Sequence, residues 1–454
     1  MPGDLAGQET YFVKDGMKVI ERFFVVPLNY AKPDEEKIRV FARHIIPKSK
    51  AKNAEDEKKL PFLVYLTGGP GFEVGLPTSA GYPGQIHDKG YQTLWIDQRG
   101  TGLSTSLSPD TLPPHVKTDE EIAEHLKHFR ADNIVRDCEF IRKQLLGDRE
   151  KSEDQKWTVL GQSFGGFCIV TYLSFHSEGL KEAFLTGGLA PLVDQPDIVY
   201  DALVQRVIKR NQVYYKKYPQ DVQRVKQIVT FLEANEVVVP NNGHLTPHRF
   251  MQLGHDFGMS GGIDRVHQIV FRASSDLELF NKLSYKTLQT IQNSQPFDGN
   301  PLYAILHEPL YCQGQAAKWS AARVVEKHAC FSWDKVKAQE ESTPLYFTGE
   351  MIFPSMFDDY ANLRPWKGAA DILASDESWK PLYDKKQLED NEVKVSTVTY
   401  LDDMYVDFGF AQQTANTIKN TEQYITNQLV HNGLGKDPAD VMKTLFKLSE
   451  REFD

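Results

Sequence analysis

The sequence predicts an α/β fold, a mostly parallel sheet flanked by helices and interrupted by an inserted, mainly helical cap domain. Three observations carry that prediction. Short apolar runs such as Phe62-Leu63-Val64-Tyr65-Leu66, Leu94-Trp95-Ile96 and Trp157-Thr158-Val159-Leu160 alternate with helical periodicity, the pattern of strands buried on both faces. From about residue 194 the texture changes to helix after helix rich in Lys, Arg, Gln and Tyr, and sheet resumes only at Val393-Lys394-Val395-Ser396-Thr397-Val398. Between the run at Trp157 and the helix that follows it lies a turn of small residues, Gly161-Gln162-Ser163-Phe164-Gly165. The expected division is therefore core over 1–193, cap over 194–385 and returning core over 386–454.

In chain order, Lys18 to Pro27 and Lys37 to Ile46 alternate apolar and polar positions and read as antiparallel strands at a sheet edge. Residues 48–59 are charged and read as a solvated loop. The strand near Phe62 ends in Gly68-Gly69-Pro70-Gly71, and the one near Leu94 ends in Asp97-Gln98-Arg99-Gly100. Ile134, Cys138, Ile141 and Leu145 recur at three-to-four spacing, which predicts a helix over 132–146. Ala183-Phe184-Leu185-Thr186 is the next strand. Pro240-Asn241-Asn242-Gly243 and residues 293–299 break the helical region. The strand from Val393 ends in Asp402-Asp403, and a last element over 422–427 precedes His431.

Composition excludes several classes. With 454 residues, 41% hydrophobic and 11% aromatic content, the chain has ordinary globular usage, so disordered and collagen-like readings fall. A formal net charge of -10 argues against nucleic acid or an anionic membrane as partner and favours a cationic substrate. The four cysteines show no CxxC spacing, no HExxH occurs, and the glycine loop at 68–71 lacks the Lys-Ser/Thr of a phosphate cradle. No metal and no cofactor is expected. No basic-apolar leader and no run long enough to span a bilayer is visible, so a cytoplasmic location is expected; oligomeric state is left open.

A serine hydroxyl becomes a nucleophile when a tight strand-to-helix bend lifts it beside a base and backbone donors, which makes Ser163 the candidate. The second match to the pattern, Gly258-Met259-Ser260-Gly261-Gly262, follows a helix rather than a strand, so Ser260 is a decoy. On a sheet of α/β-hydrolase type the order is serine, acid, histidine, and of thirteen histidines only His431 lies downstream of His328. The acid is Asp402, Asp403 or Asp407. Asp403 is favoured because neighbouring positions cannot both face the imidazole, although one-residue register is not readable from sequence. The oxyanion donors are expected from the amide of Phe164 and from Gly69 in the glycine loop.

The Gly68-Gly69-Pro70-Gly71 loop, the box Asp97-Gln98-Arg99-Gly100-Thr101-Gly102-Leu103-Ser104 and the turn around Ser163 together resemble the prolyl aminopeptidases, or proline iminopeptidases, serine peptidases of the α/β-hydrolase superfamily. Asn300-Pro301-Leu302-Tyr303, His307-Glu308, Gly349-Glu350-Met351-Ile352, Asp402-Asp403-Met404-Tyr405-Val406 and His431-Asn432-Gly433-Leu434 are similar to the longer subgroup of that family. The similarity runs from about residue 10 to 436, with Thr67 standing where many members carry histidine. The resemblance implies release of N-terminal proline from peptides through an acyl-enzyme on Ser163, with His431 as general base and acid.

Such an exopeptidase must also hold the protonated imino nitrogen, and Glu308 and Glu350 are the candidate carboxylates. Asp97 and Arg99 are expected to pair with each other and fix the loop. Tyr303, Tyr311 and Phe353 could pack on the pyrrolidine ring, but each is better read as core. The competing readings are a capped serine esterase or amidase, an aminopeptidase of broader specificity, and a non-catalytic binding protein that keeps the fold.

Overall fold

The computed structural model describes residues 5–13 and 16–452. Nine strands form one sheet in the order β1-β2-β3-β5-β4-β6-β7-β8-β9. They are β1 Leu5–Val13, β2 Met17–Pro27, β3 Lys37–Pro47, β4 Phe62–Leu66, β5 Gln92–Asp97, β6 Trp157–Gln162, β7 Leu180–Thr186, β8 Lys394–Tyr400 and β9 Thr421–Thr426. The first three form an antiparallel meander joined antiparallel to β5, and every pairing from β5 through β9 is parallel.

The central parallel strands β4, β5 and β6 are buried along nearly their whole length, which is why they read as apolar runs. Along β4 and β5, Val64, Leu66, Leu94 and Ile96 face one apolar layer, whereas Leu63, Tyr65 and Trp95 face the other. Helices Ala131–Leu146 and Phe164–Phe175 belong to the first layer, and helix Pro438–Ser449 closes the second with Val441, Met442, Leu445 and Phe446.

Between β7 and β8 the chain is helical, with long helices Asp197–Lys217, Asp221–Ala234, Gly262–Phe280 and Tyr285–Asn293. Its apolar side chains do not form a separate core. Tyr200, Leu203 and Tyr311 of this region join the same buried cluster as Phe164 and Phe167 beneath Ser163. No helix among the described residues is long and apolar enough to cross a membrane.

Two expectations are corrected. Residues 48–59 are not simply a solvated loop: Asn53 caps helix Ala54–Lys59 by accepting from the Glu55 and Asp56 amides, and Glu57 binds both Lys18 (2.7 Å) and Lys48 (3.0 Å). Nor do Asp97 and Arg99 pair. The Asp97 carboxylate accepts the Val74 amide at 2.7 Å and the Leu103 amide at 2.9 Å, so it fixes the loops by binding backbone. Arg99, whose side chain is fully buried, instead meets Asp137 on helix Ala131–Leu146 in a two-pronged contact (2.7 and 2.5 Å) and donates to the carbonyls of Pro27, Leu28 and His128.

A buried guanidinium stripped of its carboxylate keeps the desolvation penalty without the attraction. Asp137→Ala should therefore destabilise the protein by about 3–5 kcal/mol, read as a lowered midpoint in denaturant unfolding.

Candidate active site

Strand β6 ends at Gln162 and helix Phe164–Phe175 begins two residues later, leaving Ser163 alone at the bend with φ +54°. That conformation is strained for a residue with a Cβ, by about 1–3 kcal/mol, and persists only where the surroundings enforce it. Backbone enforces it here. A Cβ on Gly161 would sit 2.4 Å from the Gly165 carbonyl carbon, one on Gly165 1.9 Å from the Leu66 oxygen, and one on Gly166 2.4 Å from the Gly188 oxygen. The bend is thus wedged between the ends of β4 and β7, and the Ser163 amide donates to the Thr186 carbonyl at 3.0 Å.

The Ser163 Oγ lies 2.8 Å from His431 Nε2, and His431 Nδ1 lies 2.8 Å from Asp403 Oδ2. Because a carboxylate only accepts, Nδ1 carries the proton and Nε2 is left to accept from the serine hydroxyl. The other oxygen of Asp403 accepts the amides of Tyr405 (2.8 Å) and Val406 (3.0 Å), so the turn after β8 aims the carboxylate. The alternatives are occupied elsewhere. Asp402 is exposed, and Asp407 caps helix Phe408–Thr417 and pairs with Arg206 at 3.1 Å.

Burial pushes the His431 pKa down, but the charge and hydrogen bond of Asp403, helped by the charge of Glu350, outweigh it and leave the imidazole above its ordinary value. Ser260 sits apart from this chain of hydrogen bonds; its amide donates to Asn432 Oδ1 at 3.1 Å, bracing the loop that carries His431.

Ser163 and His431 open on a cavity of about 670 Å³ that Gly69, Phe72, Tyr303 and Glu350 also line. Gly69 has φ +130° and precedes a cis peptide bond to Pro70. Phe164 is the first residue of its helix, where an amide has no acceptor within the helix.

The two candidate carboxylates part company. Glu308 does not line the cavity: its oxygens accept the amides of Ser320 (3.0 Å) and Ala321 (2.8 Å) at the start of helix Ser320–Val325, so the expectation that it faces substrate is withdrawn. Glu350 does line it. Its Oε1 accepts from the Tyr303 hydroxyl at 2.5 Å, and the same phenol oxygen lies 2.8 Å from His255 Nε2. His255 and His307 stand 4.0 and 3.8 Å from the carboxylate. Neither is an ion-pair partner, because burial pushes their pKa values down to about 4 and about 3 and leaves both rings uncharged near neutrality.

Burial also pushes Glu350 up to about 7, against the opposing effect of the Tyr303 hydrogen bond. His255, which falls just before the decoy serine, carries no signal of its own in the sequence. Tyr303 is core as expected in its ring, which is buried, but its hydroxyl donates to the cavity carboxylate of Glu350. Tyr311 and Phe353 are buried, packed against Phe167 and His248 respectively.

A family model described as the alpha/beta hydrolase fold matches residues 61–235. A proline iminopeptidase of Aspergillus aculeatus is 41% identical over 431 residues, covering 95% of this chain and 93% of the relative. A proline iminopeptidase of Aeromonas sobria is 39% identical over 440 residues, covering 97% and 98%. Among solved structures, a proline iminopeptidase-related protein from Thermus thermophilus aligns over 94% of this chain and 99% of its own, at 13% identity and a TM-score of 0.35. The sheet and the model match make the protein an α/β hydrolase. Within that class, the near-full-length relatives show that the chain belongs to the proline iminopeptidase family.

A carboxyl whose pKa in the folded protein exceeds its ordinary value favours folding below that ordinary value and loses the contribution as pH rises through the raised one. Replacing it with the neutral Glu350→Gln should thus shift the stability balance toward the variant between pH 5 and pH 8, read as the difference in denaturant midpoints.

Proposed function

We propose that this protein is a serine exopeptidase that releases N-terminal proline from peptides. Membership of the family supports the reading, and one observation in the site carries it: a buried carboxylate, Glu350, stands in the same cavity as the Ser163 hydroxyl, and among the described residues no Lys or Arg forms an ion pair with it. An unpaired buried charge is costly, and the protonated imino nitrogen of a prolyl peptide supplies the missing partner. That pairing sets the scissile carbonyl one residue from the chain start. The helical region over 194–385 acts as the cap that walls off anything upstream.

In this reading Ser163 Oγ attacks the prolyl carbonyl carbon while His431 Nε2 takes the hydroxyl proton, and Asp403 holds the imidazole and stabilises its charged form. The oxyanion accepts from the amides of Phe164 and Gly69. His431 then returns the proton to the departing amine as the carbon–nitrogen bond breaks, leaving prolyl ester on Ser163. Water, deprotonated by the same imidazole, attacks that ester and frees proline. A cytoplasmic location belongs to the same proposal; it is supported by four free cysteines, three of them buried.

Purified protein should cleave Pro-β-naphthylamide faster than the alanine analogue, and equal rates or ester cleavage alone would favour a capped esterase instead. Ser163→Ala should lower turnover by about 10⁴ to 10⁶ with the circular dichroism unchanged. Glu350→Gln should depress prolyl-amide kcat/KM far more than acetyl-ester hydrolysis; a parallel loss would make Glu350 structural. For the unsubstituted protein, prolyl-amide kcat/KM should fall as pH drops through about 7, where Glu350 takes up a proton and the base His431, held above its ordinary value, is protonated as well.

A further inference from the structure

The catalytic cavity does not end at its own rim. Arg265 and Ser294 line both that cavity and a neighbouring groove of about 720 Å³. One wall of the groove is a stripe on helix Gly262–Phe280, Arg265, Gln268, Arg272 and Ser275, spaced three or four residues apart as one helix face requires. Thr290 and Ser294, on and just beyond helix Tyr285–Asn293, form the other wall.

The two ends of the stripe differ electrostatically. Arg265, at the cavity end, is committed to Asp256 at 3.0 Å and to the Ser260 carbonyl. Arg272, two helical turns further on, is exposed and joins no ion pair among the described residues. Its neighbour Asp276, at the same end of the groove, accepts the Ser284 amide and the Thr287 hydroxyl.

We infer that this groove binds the part of a peptide substrate downstream of the scissile bond, with Arg272 receiving its C-terminal carboxylate, so that the preferred substrates are short oligopeptides rather than dipeptides. This rests on the exopeptidase reading above. The distances fit: from Arg265 to Arg272 the stripe rises about 10 Å along the helix, and an extended peptide advances about 3.3 Å per residue, so about three residues span the two arginines. The cavity holding Ser163 and Glu350 continues into the groove past Arg265 and Ser294, which gives the remainder of the chain a path out. Gln268, Ser275, Thr290 and Ser294 offer polar contacts to a peptide backbone, Ile269 and Phe271 offer apolar contact to its side chains, and Arg272 at the far reach offers a cation to a terminal carboxylate.

The test is a series Pro-(Ala)n with n from 1 to 7, assayed beside Pro-β-naphthylamide, which stops short of the groove. kcat/KM should climb with n above 1 and level off once the C-terminus reaches Arg272, at n of about 3 or more. Amidating the C-terminus of the best peptide should lower kcat/KM about threefold to fivefold, the worth of one exposed charge pair. Arg272→Ala should remove that difference while leaving Pro-β-naphthylamide turnover unchanged. A flat length profile, or an equal loss on naphthylamide and peptides in the variant, would overturn the groove assignment while leaving the exopeptidase reading intact. Failure of the unsubstituted protein to cleave Pro-β-naphthylamide would remove both.

Discussion

Backbone packed against backbone, too closely for any Cβ to intervene, is the constraint on which the site depends. Gly161, Gly165 and Gly166 let the turn after β6 lie against the Leu66 and Gly188 main chain, and Ser163 is thereby held at a positive φ that no local preference would choose. The strain is local, while the packing that sustains it comes from β4 and from the segment after β7, far apart in sequence. The result is a hydroxyl raised from the sheet edge toward an imidazole delivered from the loop after β9, more than 250 residues away.

Glu308 and Glu350 show how little burial alone says about role. Both carboxyls are raised to about 7 chiefly by desolvation. Glu308 is answered by two amides at a helix start. Glu350 is answered by one phenol and two uncharged imidazoles, which orient the carboxylate without neutralising it. The difference lies in the partners, and it leaves one carboxylate available to a cation.

The helical insertion is bound into the molecule rather than perched on it. Its aromatic residues share a buried cluster with the helix that follows Ser163, and the Tyr303 helix abuts the glycine loop so closely that a Cβ on Gly71 would lie 2.9 Å from the Tyr303 amide nitrogen. The loop bearing Gly69 and the residue positioning Glu350 are therefore mechanically linked, and the site is assembled across the boundary between sheet and insertion.

Much of this was legible in the chain itself. Apolar runs marked β4, β5, β6 and β7 because strands buried on both faces tolerate little else, and the strand-turn-helix context separated Ser163 from Ser260. Order along the chain singled out His431. What sequence left open depended on through-space partners. Asp403 rather than Asp402 or Asp407 faces the imidazole because the turn after β8 sets one-residue register, which periodicity does not encode. Arg99 finds Asp137 instead of Asp97, Glu308 finds a helix start, and His255 enters the site through Tyr303. Local pattern is written in local propensity, whereas the partner of a buried charge is decided only when distant segments close around it.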